Sequence, residues 1–145
     1  MKKVFILLYF SLVLVFISCS IEPSKIVYGQ DACHFCKMTI VEETHAAQIV
    51  TKKGKAFKYD AIECLLNDLE NHEKEDIALY LVTDYLTPQK LIDAKTATFL
   101  ISKSIQSPMG ANLSAFENRN EIEEYAKNEE DKIFDWADLQ KHFFR

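Results

Sequence analysis

Cys33-His34-Phe35-Cys36-Lys37-Met38 brings two thiols and a thioether into one short stretch of the chain. Thiols spaced as Cys-x-x-Cys are close enough to clasp one ion. If Cys36 and Met38 open a strand, their side chains share a face, because strand side chains alternate with period two. Thiolate and thioether are soft donors, a set that selects Cu(I) over hard cations. Met109 lies in Ser107-Pro108-Met109-Gly110, a turn sequence in which a large flexible side chain has no evident packing role. A methionine there could close over an ion held by the first cluster. Cys33, Cys36 and Met38 are the candidate ligands, with Met109 a further one if its loop closes over them.

Each of these residues has a plainer account. A Cys-x-x-Cys pair in an exported protein can simply be oxidised to a disulfide. Core packing is the commonest fate of a methionine and would serve for Met38, or for Met109 as a plug beneath its loop. A rival chemistry is a membrane-anchored, thioredoxin-like thiol-disulfide oxidoreductase, with Cys33 attacking and Cys36 resolving. That chemistry favours a Cys-x-x-Cys at a helix N-terminus, where the dipole lowers the thiol pKa. The residues after Cys36 alternate like a strand instead, and Thr87-Pro88 is the one echo of a proline loop. A Zn site from Cys33, Cys36, Cys64 and a histidine ranks third. Zinc wants four ligands in a closed tetrahedron, and no second Cys-x-x-Cys or His-x-x-x-His pair completes one.

Cys64 falls on the helix that Asp60 opens, about 160–200° from the Ile62/Leu65/Leu66/Leu69 stripe at 100° per residue. It either approaches the metal cluster or sits under another layer. Three cysteines lie beyond Cys19, so at least one stays unpaired within a monomer. His34 and His45 sit where they could join a metal site, and turn positions account for them equally. His72 and His142 lie near helix C-termini, where a histidine suits the dipole. No Gly-rich phosphate loop, Ser/His/Asp arrangement or nucleophile elbow is present. The chain reads as a carrier, not an enzyme.

The elements that must position these residues follow from periodicity. Lys37–Glu42 and Ala46–Lys52 are rich in β-branched residues and read as short strands. Gly54 turns the chain into a third, Lys55–Tyr59, with Phe57 and Tyr59 on one face. Asp60-Ala61-Ile62-Glu63 has the spacing of a capping box and starts a helix whose Ile62, Leu65, Leu66 and Leu69 face the sheet. Ile77–Thr83 is an inner strand, with little polar interruption. Thr98–Ile101, Asn112–Phe116 and Lys132–Phe134 read as further strands. Between the last two, Asn120 precedes a helix carrying Ile122, Tyr125 and Ala126. Asp135 caps a final helix burying Trp136, Leu139 and Phe143. The fold class is α+β, a small mixed domain of two β-β-α-β units. Three glycines and three prolines in the whole chain leave no long flexible linker.

Residues 1–18 read as a signal peptide: a basic Lys2-Lys3 start, an apolar run from Val4 to Phe16, and a small residue before Cys19. A spanning helix needs about 20 apolar residues, and Glu22, Pro23 and Lys25 end the run too early. Phe16-Ile17-Ser18-Cys19 resembles a bacterial lipobox, although Phe16 stands where leucine is usual. Cys19 would then carry acyl chains such as palmitate, each buried methylene contributing roughly 0.8 kcal/mol of anchoring. Residues 19–26 form the lipidated N-terminus and tether, and 27–145 the metal-binding domain. Removing Lys2 and Lys3 with the signal, which holds no acidic residue, takes the net charge from −5 to −7. Such a body presents no basic nucleic-acid surface.

Asp31-Ala32-Cys33-x-x-Cys36-x-Met38-x-Ile40, Phe57-x-Tyr59-Asp60-x-x-x-Cys64, Ser107-Pro108-Met109-Gly110 and Ala115-Phe116 resemble, in order, the motifs of the NosL family of copper-binding lipoproteins. The resemblance runs from about Tyr28 to Lys127. It implies a periplasmic or extracytoplasmic Cu(I) chaperone, lipid-anchored to a bacterial membrane, that helps mature nitrous oxide reductase. A copper-accepting client and a membrane transporter complex are the partners so implied. The same resemblance implies two β-β-α-β units and matches Cys33, Cys36, Met38 and Met109 to the family's candidate ligand positions. It also allows a nitrogen ligand, for which His34 is a guess.

Overall fold

A computed structural model describes residues 20–144 of the chain. The expected signal peptide and the expected lipidation site Cys19 lie outside the described residues, as does Arg145. Two antiparallel sheets make up the framework. The first contains β1 (Ala47–Thr51), β2 (Ala56–Tyr59), β3 (Ile77–Thr83) and β4 (Leu91–Asp93) in the order β2-β1-β3-β4. The second contains β5 (Thr98–Ile101), β6 (Leu113–Phe116) and β7 (Lys132–Phe134) in the order β6-β5-β7.

The two units share one winding. In each, the first strand is central, the second pairs on one side, and the strand after the helical segment pairs on the other. In the first unit that segment is α1, Ile62–Asp68. Its stripe is as the periodicity predicts, with Ile62, Leu65, Leu66 and Leu69 all buried. In the second unit the expected helix after Asn120 is a 3₁₀ segment, Arg119–Glu124. Arg-Asn-Glu-Ile-Glu-Glu offers a single buried apolar residue, Ile122, so no stripe exists to hold a longer α-helix. The final helix α2, Trp136–Phe143, starts as expected: the Asp135 side chain accepts from the Asp138 N–H at 2.8 Å.

β3 is an inner strand, as its apolar run implies. β4 escapes sequence reading because Leu91-Ile92-Asp93 is too short to show a period. β1 is buried on both faces, Gln48 included. Gln48 is satisfied by the N-terminal segment, accepting from Ser24 N–H and donating to Ser24 C=O, both at 2.8 Å. Ile26 is buried in the core, so the packed body begins inside the expected tether.

One apolar core serves both units. Ile49, Leu65 and Leu66 from the first join Phe99, Leu113, Trp136 and Leu139 from the second in a single cluster. The sheets are also stitched by a parallel bridge, Asp84 to Ala115, and by the Tyr85 N–H to Ala115 C=O bond of 2.8 Å. His45 reinforces this seam: buried, it sits between Thr44 Oγ1 (2.9 Å) and Ser114 Oγ (3.2 Å).

Burial holds His45 below the ordinary histidine pKa, against the opposing pull of Glu42. The unfolded chain therefore binds this proton more readily than the folded one. The stability linked to His45 is present above its unfolded value of about 6.5 and is lost as pH falls through the lower folded value. Chemical denaturation between pH 7 and 5 should show a smaller loss of stability in His45→Gln than in the native chain. Equal losses would place the acid sensitivity elsewhere.

Candidate metal centre

The Cys33–Met38 segment is a closed turn, not the start of the expected Lys37–Glu42 strand. Cys33 N–H donates to Met38 C=O at 2.7 Å, and Lys37 N–H to Cys33 C=O at 3.1 Å. Lys37 makes the reversal with a φ of 67°, a left-handed conformation that costs an L-residue about 1–2 kcal/mol. What remains of the strand is one bridge, Ala32 to Thr39. The period-two argument for a shared face of Cys36 and Met38 therefore fails: Cys36 packs against the core while Met38 is 59% exposed.

Neighbouring backbone fixes this turn. His34 N–H donates to Lys58 C=O on β2 at 2.7 Å. The Asp31 carboxylate accepts from Val27 N–H and from Lys58 Nζ, each at 2.7 Å. β2 then leads directly into Asp60, and α1 begins two residues later.

The expected capping box is not formed. The N-cap of α1 is Ala61, with no side-chain hydrogen bond. Asp60 is drawn elsewhere: its Oδ1 accepts from the Cys36 thiol at 3.4 Å. Glu63 is buried and accepts from the Ser107 hydroxyl. Burial pushes the Glu63 carboxyl above its ordinary pKa, opposed by that hydroxyl and by neighbouring backbone N–H groups.

Cys64, in the first turn of α1, is fully buried beside Cys33, because the Cys33 turn covers the helix face away from the leucine stripe. The sulfurs of Cys33, Cys36 and Cys64 and a carboxylate oxygen of Asp60 all lie within 4.8 Å of one another. All three cysteines are free thiols. The Cys33 thiol is lowered to about 6, chiefly by the hydrogen bond from Cys64, with burial opposing and the Asp60 and Cys36 backbone N–H groups assisting. Cys64, donating that bond and buried, is pushed up, and burial raises Cys36. Of the three thiols, Cys33 is thus the one that the cluster favours to lose its proton first. An incoming soft cation would release the remaining protons.

Met38 and Met109 stand at the edge of this arrangement, 59% and 40% exposed. Met38 is tied through its carbonyl to Cys33. The Met109 turn is closed by Gly110 N–H to Ser107 C=O at 3.0 Å, and Ser107 links it to Glu63, the residue before Cys64. Both thioethers face solvent on backbone anchored to the cysteine segments. A cleft of about 870 Å³, lined by residues such as Lys103, Glu130 and His142, contains neither thiol nor methionine.

The histidines go elsewhere. His34 lies with Asp68 and His72 in a separate group, with Nε2 3.9 Å from Asp68 Oδ2. Burial lowers the His34 pKa, against the pull of Asp68. The Asp68 carboxyl is raised by burial, yet hydrogen bonds from Asn71, Tyr59 and His72 bring it below its ordinary value. Sequence reasoning missed Asp60 as a member of the thiol cluster. Its identity and its spacing to Glu63 point to a cap instead, and Asp60 lies before the helix, so no helical period marks it as a neighbour of Cys64.

The NosL family profile matches residues 25–144. The chain belongs to the NosL family. Its fold is similar to the crystal structure of the copper chaperone NosL from Shewanella denitrificans, with a TM-score of 0.69 over 81% of this chain and 95% of that one. At 20% identity the likeness establishes the shared architecture of this NosL-family chain, and the two-unit α+β reading stands with it. No protein of curated function matches the sequence.

Proposed function

We propose that this NosL-family chain is a Cu(I) carrier, held by a lipidated Cys19 on the extracytoplasmic side of a bacterial membrane. It passes its ion to a copper-accepting client. The observation that carries the reading is the convergence of three cysteine sulfurs in one partly open cluster. Sulfur donors of this kind favour Cu(I), and a fold relative is described as a copper chaperone.

In this reading Cys33, Cys36 and Cys64 form the resting set. Met38 and Met109 lend thioethers from the solvent side during exchange, each new ligand entering as an old one leaves. Family membership supports nitrous oxide reductase maturation as the setting, with a transporter complex beside the anchor. The oxidoreductase alternative is not favoured, because Cys33 and Cys36 lie in a turn followed by a bridge, not at the helix N-terminus that chemistry favours.

Asp60 favours one second reading, a four-ligand Zn(II) site of three thiolates and a carboxylate. Competition decides between them. The reduced chain, titrated with Cu(I) against a chromophoric chelator, is expected to bind one ion per chain and to keep it against excess Zn(II). Displacement of Cu(I) by stoichiometric Zn(II) would favour the zinc site.

A further inference from the structure

Glu63 is buried, 3% exposed, in the first turn of α1 between Ile62 and Cys64. It is not a member of the thiol cluster. Its Oε1 accepts from the Ser107 hydroxyl, while Oε2 is buried with no hydrogen-bond partner. A carboxyl left half satisfied in the interior costs stability, and an apolar side chain of similar size would not. Packing alone therefore does not account for an acid at this position.

What the carboxyl holds is the Met109 loop. Burial raises its pKa, and the groups that oppose burial are the Ser107 hydroxyl and the N–H groups of Glu63 itself, Ala111 and Leu113. All but the residue's own N–H come from the segment 107–113. That segment is braced around its anchor. Ser107 Oγ, while donating to Glu63, accepts from Asn112 N–H at 2.9 Å, and Ser107 C=O accepts from Gly110 N–H at 3.0 Å. Gly110 and Asn112 turn the chain with φ values of 81° and 58°, the left-handed region that glycine and asparagine enter most easily. Ser107 is buried, whereas Met109 two residues on is exposed. The loop is fixed at its root and carries the thioether at its tip.

We propose that Glu63 is the positioning residue for Met109: through Ser107 it fixes the Met109 loop to the helical turn that carries Cys64. The thioether is then presented to an exchanging ion without a search. This role rests on the carrier reading above. A loop ordered in advance spares the entropy of fixing it at the moment of transfer. Glu63 therefore acts on handover and leaves the resting thiol site unchanged.

The test compares Ser107→Ala, which removes the hydroxyl, with Ser107→Thr, which keeps it, in the full reduced chain in detergent. Backbone ¹⁵N order parameters of Met109 and Gly110 read the loop without copper. They should stand near about 0.85 in the native chain, fall below about 0.6 in Ser107→Ala, and recover in Ser107→Thr. Glu63→Leu should reproduce the loss. Stopped-flow transfer of Cu(I) to a chromophoric chelator should slow about tenfold in Ser107→Ala, with Cu(I) affinity unchanged. In a Met109→Ala background the same change should slow transfer no further. A merely structural role for Ser107 would slow transfer in both backgrounds. An ordered loop in both Ser107→Ala and Glu63→Leu, or further slowing in the double variant, would overturn the positioning role. Those outcomes leave Cu(I) uptake intact, so they are distinct from failure of the carrier reading. A native chain that takes up no Cu(I) would show that failure and remove the role with it.

Discussion

Replacing Cys64 by serine should weaken Cu(I) binding about 100-fold or more, a larger loss than truncating either methionine. A structural four-ligand Zn site is worth about 10–16 kcal/mol, or roughly 2.5–4 kcal/mol per ligand, and tenfold in affinity is about 1.4 kcal/mol. Cys64 is fully buried beside Cys33, so its sulfur has no solvent-side substitute. Met38 and Met109 are exposed and neutral, and Met38→Ala should slow handover to an acceptor more than it lowers affinity. Chelator competition and stopped-flow transfer separate the two effects. Because Cys64 also packs in the core, thermal melts of the metal-free variants must accompany the titration. A Cys64→Ser chain that melts near the native temperature and binds Cu(I) with native affinity would remove Cys64 from the ligand set.

Phe99→Ala should destabilise the protein by about 3–5 kcal/mol, the usual range for a fully buried aromatic. Phe99 lies on the central strand of the second sheet, fully buried, with its ring 5.7 Å from that of Trp136. It belongs to the same cluster as Leu65 and Cys64 on α1. The loss should therefore appear as one earlier transition in which both halves unfold together, measured by denaturant melts with Trp136 fluorescence and far-UV circular dichroism. Separate transitions for the two probes would mean that each unit keeps its own core. The thiol cluster would then be insulated from the second half.

Much of the fold was legible because long apolar runs carry their own period. β3 and β5 coincide with the runs Ile77–Thr83 and Thr98–Ile101, and α1 shows its leucine stripe. Asp135 caps as its type suggests. What was illegible depends on contacts between distant segments. Asp60 has a capping residue's identity and spacing, yet a thiol from 24 positions earlier claims its carboxylate. Lys37 has no residue-level signature of a left-handed turn, since lysine seldom adopts one. That single φ replaces the expected strand and turns Met38 out to solvent. Cys33 and Cys36 could be paired from the sequence because their two sulfurs are close along the chain. Cys64 and Asp60 join them only because β2 and α1 fold back onto the turn. The acidic residue in a soft cluster is information that no local pattern carries.

The central claim is that the thiols of Cys33, Cys36 and Cys64 together hold one Cu(I). Copper K-edge X-ray absorption of the reduced chain loaded with a single equivalent tests it most directly. The account predicts an edge characteristic of Cu(I) and a scattering shell made up of sulfur, with fewer sulfur neighbours in Cys64→Ser. A shell of nitrogen and oxygen alone, or a sulfur shell unchanged by the loss of Cys64, would contradict it.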